Sequence, residues 1–161
     1  EGFRAGAEFI NPEIKVIVFY RDEGDSEKLF IDETWGFEAA NKAIRRGADV
    51  IFAAGAVTGQ GALRAASAAN IPAIGVERDQ TVVLAESGSS VVTSILGQAS
   101  FEVQEMMRLV RGGNVSEARS GQIENVPFDG NFPESMQDAV DFLFLNLRNG
   151  KIKTTVPLEK P

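Results

Sequence analysis

Four short, mainly apolar runs punctuate the chain: Lys15–Tyr20 (KVIVFY), Asp49–Ala54 (DVIFAA), Ala73–Glu77 (AIGVE) and Val91–Leu96 (VVTSIL). Each is rich in β-branched residues, and runs of this kind predict strands buried on both faces, as in a parallel sheet. Between them the spacing turns helical. Phe37, Ala40 and Ile44 fall on one helical face, with Gly47 as the stop. Leu63, Ala66 and Ala69 repeat the pattern before Asn70 and the helix-ending Ile71-Pro72. A longer helix is predicted over Ala99–Arg111, with Phe101, Met106, Leu109 and Val110 inward and Gly112-Gly113 ending it. Another spans Glu134–Asn149, opened by Pro133 and closed by Gly150.

The predicted order is α-β-α-β-α-β-β-α-β-α. Strands that alternate with helices of about 10–15 residues read as right-handed βαβ crossovers. The expected fold class is therefore α/β, a Rossmann-like three-layer sandwich around a mostly parallel sheet. Residues 1–161 are expected to form one lobe, with Lys151–Pro161 as an extended C-terminal arm.

Composition narrows the chemistry. A length of 161 residues suits one domain of ordinary size. The chain has no cysteine, which excludes disulfides, thiolate metal sites and a cysteine nucleophile. It also has no histidine, which removes the commonest general base near neutral pH, the Ser-His-Asp triad and the usual zinc or haem ligand. The net charge of −7, spread over both halves, argues against a nucleic-acid partner. Stretches such as Ile14–Tyr20 and Ala139–Leu147 are far short of the roughly 20 residues of a membrane-spanning helix. Lack of cysteine suits an oxidising compartment. The chain opens with Glu1-Gly2-Phe3-Arg4 instead of Met, and is expected to be a piece of something longer.

Four segments are candidates for function. Gly55-Ala56-Val57-Thr58-Gly59-Gln60-Gly61 follows a predicted strand and opens a helix, where free N–H groups face a ligand. It lacks the third glycine of a dinucleotide fingerprint and the Gly-Lys-Ser/Thr of a P-loop. Two readings stay open: a turn needing positive φ with Thr58 capping the helix, or a small neutral ligand held by loop amides and Thr58. Glu77-Arg78-Asp79-Gln80 lies beyond a strand's carboxyl end, where an acidic side chain can accept hydrogen bonds from a ribose diol. The alternative is a solvated charged loop. Arg21–Glu27 is acidic but lacks the ligand spacing of a calcium loop, so no metal is expected. Phe30 and Trp35 beside it suit either packing or base stacking. No spacing marks an acid–base pair or an activated nucleophile, so an enzyme and a cofactor are not expected.

The chain resembles the BMP ("basic membrane protein") family of solute-binding lipoproteins. The likeness runs from Glu1–Ala7 and Asn11–Val16 through Phe30-x-Asp32-x-x-x-Gly36-x-Glu38, Gly47–Phe52 and Thr58-Gly59-x-Gly61. It continues with Ile74-Gly75-Val76-x-x-Asp79-Gln80 and Val92-Thr93-Ser94, and closes with Asn149-Gly150-Lys151-Ile152-Lys153. The resemblance implies one lobe, the C-terminal half, of a type I periplasmic-binding-protein fold with two lobes around a cleft. It implies a nucleoside or similar small polar ligand, an ABC permease as partner, the missing N-terminal lobe, and an extracytoplasmic, lipid-anchored location. It assigns base stacking to Phe52, ribose binding to Glu77, and loop contacts to Val57 and Thr58; Asp79 completes the candidate ligand-binding set. A ligand-sensing domain of a signalling or transcriptional regulator is the alternative. Three departures bear on the ligand. Val57 replaces a family glycine; Glu77 replaces an aspartate and reaches about 1.5 Å further; Gly97 follows Leu96 where the family has lysine. Polar sites that lose partners can change preference by about 10⁴–10⁵-fold.

Overall fold

Three of the predicted strands lie side by side and run parallel. In the computed structural model, residues 1–85, 90–113, 123–128 and 131–153 are described. Strand β1 (Ile51–Phe52) pairs with β2 (Ala73–Val76), and β2 pairs with β3 (Val91–Gly97). Strand β4 (Ile123–Asn125) adds to the far edge antiparallel to β3, giving the order β1-β2-β3-β4. Helices α1 (Gly2–Ile10) and α2 (Glu33–Arg45) precede the sheet. Helix α3 (Ala56–Ala68) links β1 to β2, and the short α4 (Gln80–Val83) lies between β2 and β3. Helices α5 (Ala99–Arg111) and α6 (Glu134–Arg148) follow. The chain is thus a mixed α/β fold with a mostly parallel sheet, the class its patterning predicts.

Small residues bring α2 and α3 into backbone contact. A β-carbon at Gly36 would fall 1.8 Å from the Thr58 carbonyl oxygen, and one at Gly61 would fall 2.0 Å from the Glu33 carbonyl oxygen. Ala39, Ala40 and Ala43 complete the buried face of α2, while Leu63, Ala65 and Ala66 complete that of α3. Leu63 and Leu84 are fully buried and join Ile51, Ala53, Ala73 and Val91 in the core. Each such leucine contributes about 1.5–3 kcal/mol of burial.

Asp32 starts α2. Its Oδ1 accepts from Trp35 N at 3.0 Å, satisfying one of the first-turn donors of the helix, and Arg21 pairs with its Oδ2 at 3.2 Å. These contacts hold its carboxyl below the ordinary 3.8, with the Trp35 N–H bond the largest cause and Arg21 lowering it further against the opposing effect of burial. The acidic segment around it is a capped loop: Asp25 Oδ1 accepts from Glu27 N at 3.0 Å, and Arg21 donates to the Glu23 carbonyl.

Several expectations are corrected. Lys15–Tyr20 forms no strand. An apolar run encodes a demand for burial, but a strand also needs a ladder partner, and β1 pairs only with β2 among the described residues. The burial demand is met in part, because Phe19 packs on the core with the Arg46 guanidinium 5.9 Å above its ring. Phe37 is 40% exposed, since the alanine and glycine face of α2 turns inward instead. Met106 and Val110 are also more than half exposed, and with Val103 and Met107 they line an outward stripe of α5. Helical spacing marks such a stripe but not what covers it. The side chain of Phe101 and the arm residues 154–161 lie outside the described residues.

Candidate functional site

The carboxyl ends of β1 and β2 open on a shallow depression lined by Ala54, Gly55, Ala56, Val76, Glu77 and Gln80, among others. In parallel sheets this edge is where ligands sit, because the loops diverge there and a helix begins. The backbone on both sides is unusual. Gly55, the N-cap of α3, has φ 110°, and Ala56 follows at φ 51°. Glu77, directly after β2, has φ 69° while its N–H donates to Ile95 O at 2.9 Å. A residue other than glycine with positive φ is strained by about 1–3 kcal/mol, and such strain clusters at functional sites. Here two strained residues line the same depression. The Gly55-Ala56 turn therefore needs positive φ, as one of the two sequence readings holds.

Each predicted residue has a definite place. Glu77 is exposed and lines the depression. Phe52 ends β1 at 36% exposure, and its ring stacks on Phe3 of α1 with centroids 4.7 Å apart and planes 16° from parallel. Val57 is 37% exposed in the first turn of α3. Thr58 is buried: its hydroxyl donates to Leu29 O at 3.1 Å and accepts from Asp32 N at 2.8 Å. It therefore latches α3 to the start of α2, and Gly55, which makes no side-chain cap, occupies the N-cap position expected for Thr58. Asp79 is half-buried and caps α4, its Oδ1 accepting from Thr81 N at 3.0 Å and from Thr81 Oγ1 at 2.5 Å. The fold thus brings Glu77 to the depression, leaves Phe52 and Val57 beside it, and uses Thr58 and Asp79 to hold its frame.

The motif residues around β2 form one unit. Gln80 N donates to Ser94 Oγ at 3.0 Å, and Gln80 Nε2 donates to Val76 O at 3.1 Å. Gly75 makes room for this, because a β-carbon there would lie 2.4 Å from Gln80 Cγ and 3.0 Å from Ser94 Oγ. Sequence reasoning passed over both Gln80 and Ala56 as site residues. A polar residue spaced to face the core just after a strand end was the available signal for Gln80; a positive φ at an alanine leaves none.

A mostly parallel α/β sheet with a depression at its carboxyl edge is an architecture that ligand-binding α/β folds share. The chain belongs to the Bmp family: the family model, described as ABC transporter substrate-binding protein PnrA-like, matches residues 1–123. Among solved structures, the chain is similar to an ABC transporter system solute-binding protein from Conexibacter woesei DSM 14684, with TM-score 0.70 and 24% identity over 94% of this chain and 50% of that one. It is also similar to a transcriptional activator of the comK gene from Bacillus halodurans, with TM-score 0.60 and 17% identity over 73% of this chain and 42% of that one. Both likenesses are of fold, and the chain spans about half the length of the structures it resembles. A search of curated proteins gives no match. No helix among the described residues is long and apolar enough to cross a membrane.

Proposed function

We propose that this chain is the C-terminal lobe of a non-catalytic solute receptor that serves an ABC importer. The solute closes between this lobe and an N-terminal one, with Phe52 offering a ring face, Glu77 a carboxylate, and Val57, Thr58 and Asp79 the frame around them. A nucleoside or a similar small polar molecule has the matching parts: a flat base and a sugar rich in hydroxyls. The permease is the protein partner, and the receptor works outside the cytoplasm on a lipid anchor.

The observation that carries this reading is the depression itself, at the carboxyl ends of β1 and β2, with the strained Glu77 and the strained Ala56 both in its lining. Membership of the Bmp family supports the role in solute capture. The family model describes a substrate-binding component, which supports a binding role over a catalytic one.

Calorimetry of the full-length protein against purine and pyrimidine nucleosides tests the proposal. Saturable heat with a member of the panel is the expected result. Absence of heat with every nucleoside removes that ligand class.

A sensor is the second reading, favoured by the likeness in fold to the comK activator. The neighbouring sequence separates the two: a lipid-attachment motif upstream marks a transporter component, and a DNA-binding or signalling module marks a sensor.

A further inference from the structure

We infer that Phe30 is a ligand-binding residue on the rim of the depression, its exposed ring offering a face on which a flat heterocycle of the solute stacks; this rests on the solute-receptor reading above. Phe30 lies in the turn before α2 and is 62% exposed. Its backbone is fixed from both sides. Thr58 N donates to Phe30 O at 3.3 Å, the Thr58 hydroxyl donates to Leu29 O at 3.1 Å, and Asp32 N donates to that hydroxyl at 2.8 Å. Residues 29–32 are thereby strapped to the first turn of α3. The ring comes to rest against the turn that opens this helix: its Cδ1 lies 4.0 Å from where a β-carbon would stand on Gly55. Gly55 itself lines the depression, so the ring borders it, and no side chain on that residue screens one from the other.

A single exposed apolar side chain is ordinary on a protein surface and asks for no explanation. Phe30 is not single. Ile31 beside it is 63% exposed, and Val57, next to the Thr58 that straps them down, is 37% exposed. Small-molecule sites combine apolar and aromatic walls with a few polar groups that orient the ligand. Here the aromatic wall is Phe30, and the exposed Glu77 carboxylate in the lining is the polar group. Aromatic rings gain by offset stacking on other flat rings, and every nucleobase presents such a face. The pair therefore suits a solute that joins a flat unsaturated ring to hydrogen-bond donors.

The test is calorimetry of full-length wild-type, Phe30→Ala, Phe30→Leu and Phe30→Tyr protein with adenosine, guanosine, cytidine and uridine. Alanine removes the ring, leucine keeps apolar bulk without a ring face, and tyrosine keeps the face. The expected result is a loss of about 5- to 150-fold in affinity for Phe30→Ala, a similar loss for Phe30→Leu, and affinity within about threefold of wild type for Phe30→Tyr. Unfolding midpoints should match wild type throughout, because the ring is mostly exposed. Unchanged affinity in Phe30→Ala overturns the assignment. Wild-type affinity in Phe30→Leu overturns it as well, since bulk and not a ring face would then be what the solute meets. An affinity loss in Phe30→Ala that is accompanied by a lowered unfolding midpoint and repeated in Phe30→Tyr would mean that Phe30 only supports the fold. If Phe30→Ala does not fold, the contrast between Phe30→Leu and Phe30→Tyr decides alone. Wild-type protein that binds no nucleoside brings down the receptor reading for this ligand class and the Phe30 assignment with it, whereas binding that Phe30→Ala leaves unaltered brings down only the latter.

Discussion

Phe3 and Phe52 lie face to face, with ring centroids 4.7 Å apart and planes 16° from parallel. Helix α1 thereby reaches across to the end of β1 and covers one face of the ring assigned to base stacking. A base that stacks on Phe52 uses the opposite face or takes the place of Phe3.

Phe52→Ala is expected to weaken nucleoside binding by about 1–3 kcal/mol, measured by calorimetry on the full-length protein. The ring pair also contributes to stability by about 0.5–1.5 kcal/mol, so Phe3→Ala is the matched control. Equal losses of affinity in the two variants would show that the pair matters only as packing.

Ala56 sits at φ 51°, in the left-handed region. Left-handed backbone is unfavourable for a side chain with a β-carbon and free for glycine. Ala56→Gly should raise unfolding stability by about 1 kcal/mol in a denaturant titration. A destabilised variant would mean that the turn does not hold this conformation.

Gly61 meets the Glu33 carbonyl so closely that a β-carbon would lie 2.0 Å from its oxygen. Gly61→Ala must therefore push α2 and α3 apart, at a cost of about 3 kcal/mol or more. Gly97→Ala is the control, since nothing lies within 4 Å of its added methyl; it should stay within about 0.5 kcal/mol of wild type. Similar unfolding midpoints for the two variants would refute the backbone contact.

The Asp32 carboxyl is held below 3.8, chiefly by the Trp35 N–H and then by Arg21. A lowered folded value means that the charged form stabilises the native state above the unfolded value. That contribution is lost as pH falls through the folded one. Asp32→Asn keeps an N-cap oxygen but does not titrate, so its melting temperature should fall less steeply than wild type below pH 3.8. Parallel curves between pH 2 and 6 would rule out this role for Asp32.

The parts of the fold written in hydropathy were legible. The spans of α5, α6, β2 and β3 follow from apolar spacing closed by glycine or opened by proline, and the parallel sheet follows from the β-branched runs. Lys15–Tyr20 was misread because its pattern specifies burial, which Phe19 partly achieves, without specifying a neighbour for its backbone. Met106 and Val110 were misread for a related reason: helical spacing defines a stripe and is silent on its cover. Within the candidate site, Glu77 was legible from its place after a strand. Gln80 was visible only as part of a motif, since its role depends on Gly75 and Ser94, which are distant in sequence or too small to draw notice. The positive φ of Ala56 and Glu77 has no counterpart in polarity or spacing.

The direct meeting of α2 and α3 leaves no layer of side chains between them to rearrange. Behind the depression stands a stiff plate, and re-tailoring it for another cargo would mean shifting two helices as a block. Tuning of the depression is consequently left to exposed side chains at its rim, such as Glu77.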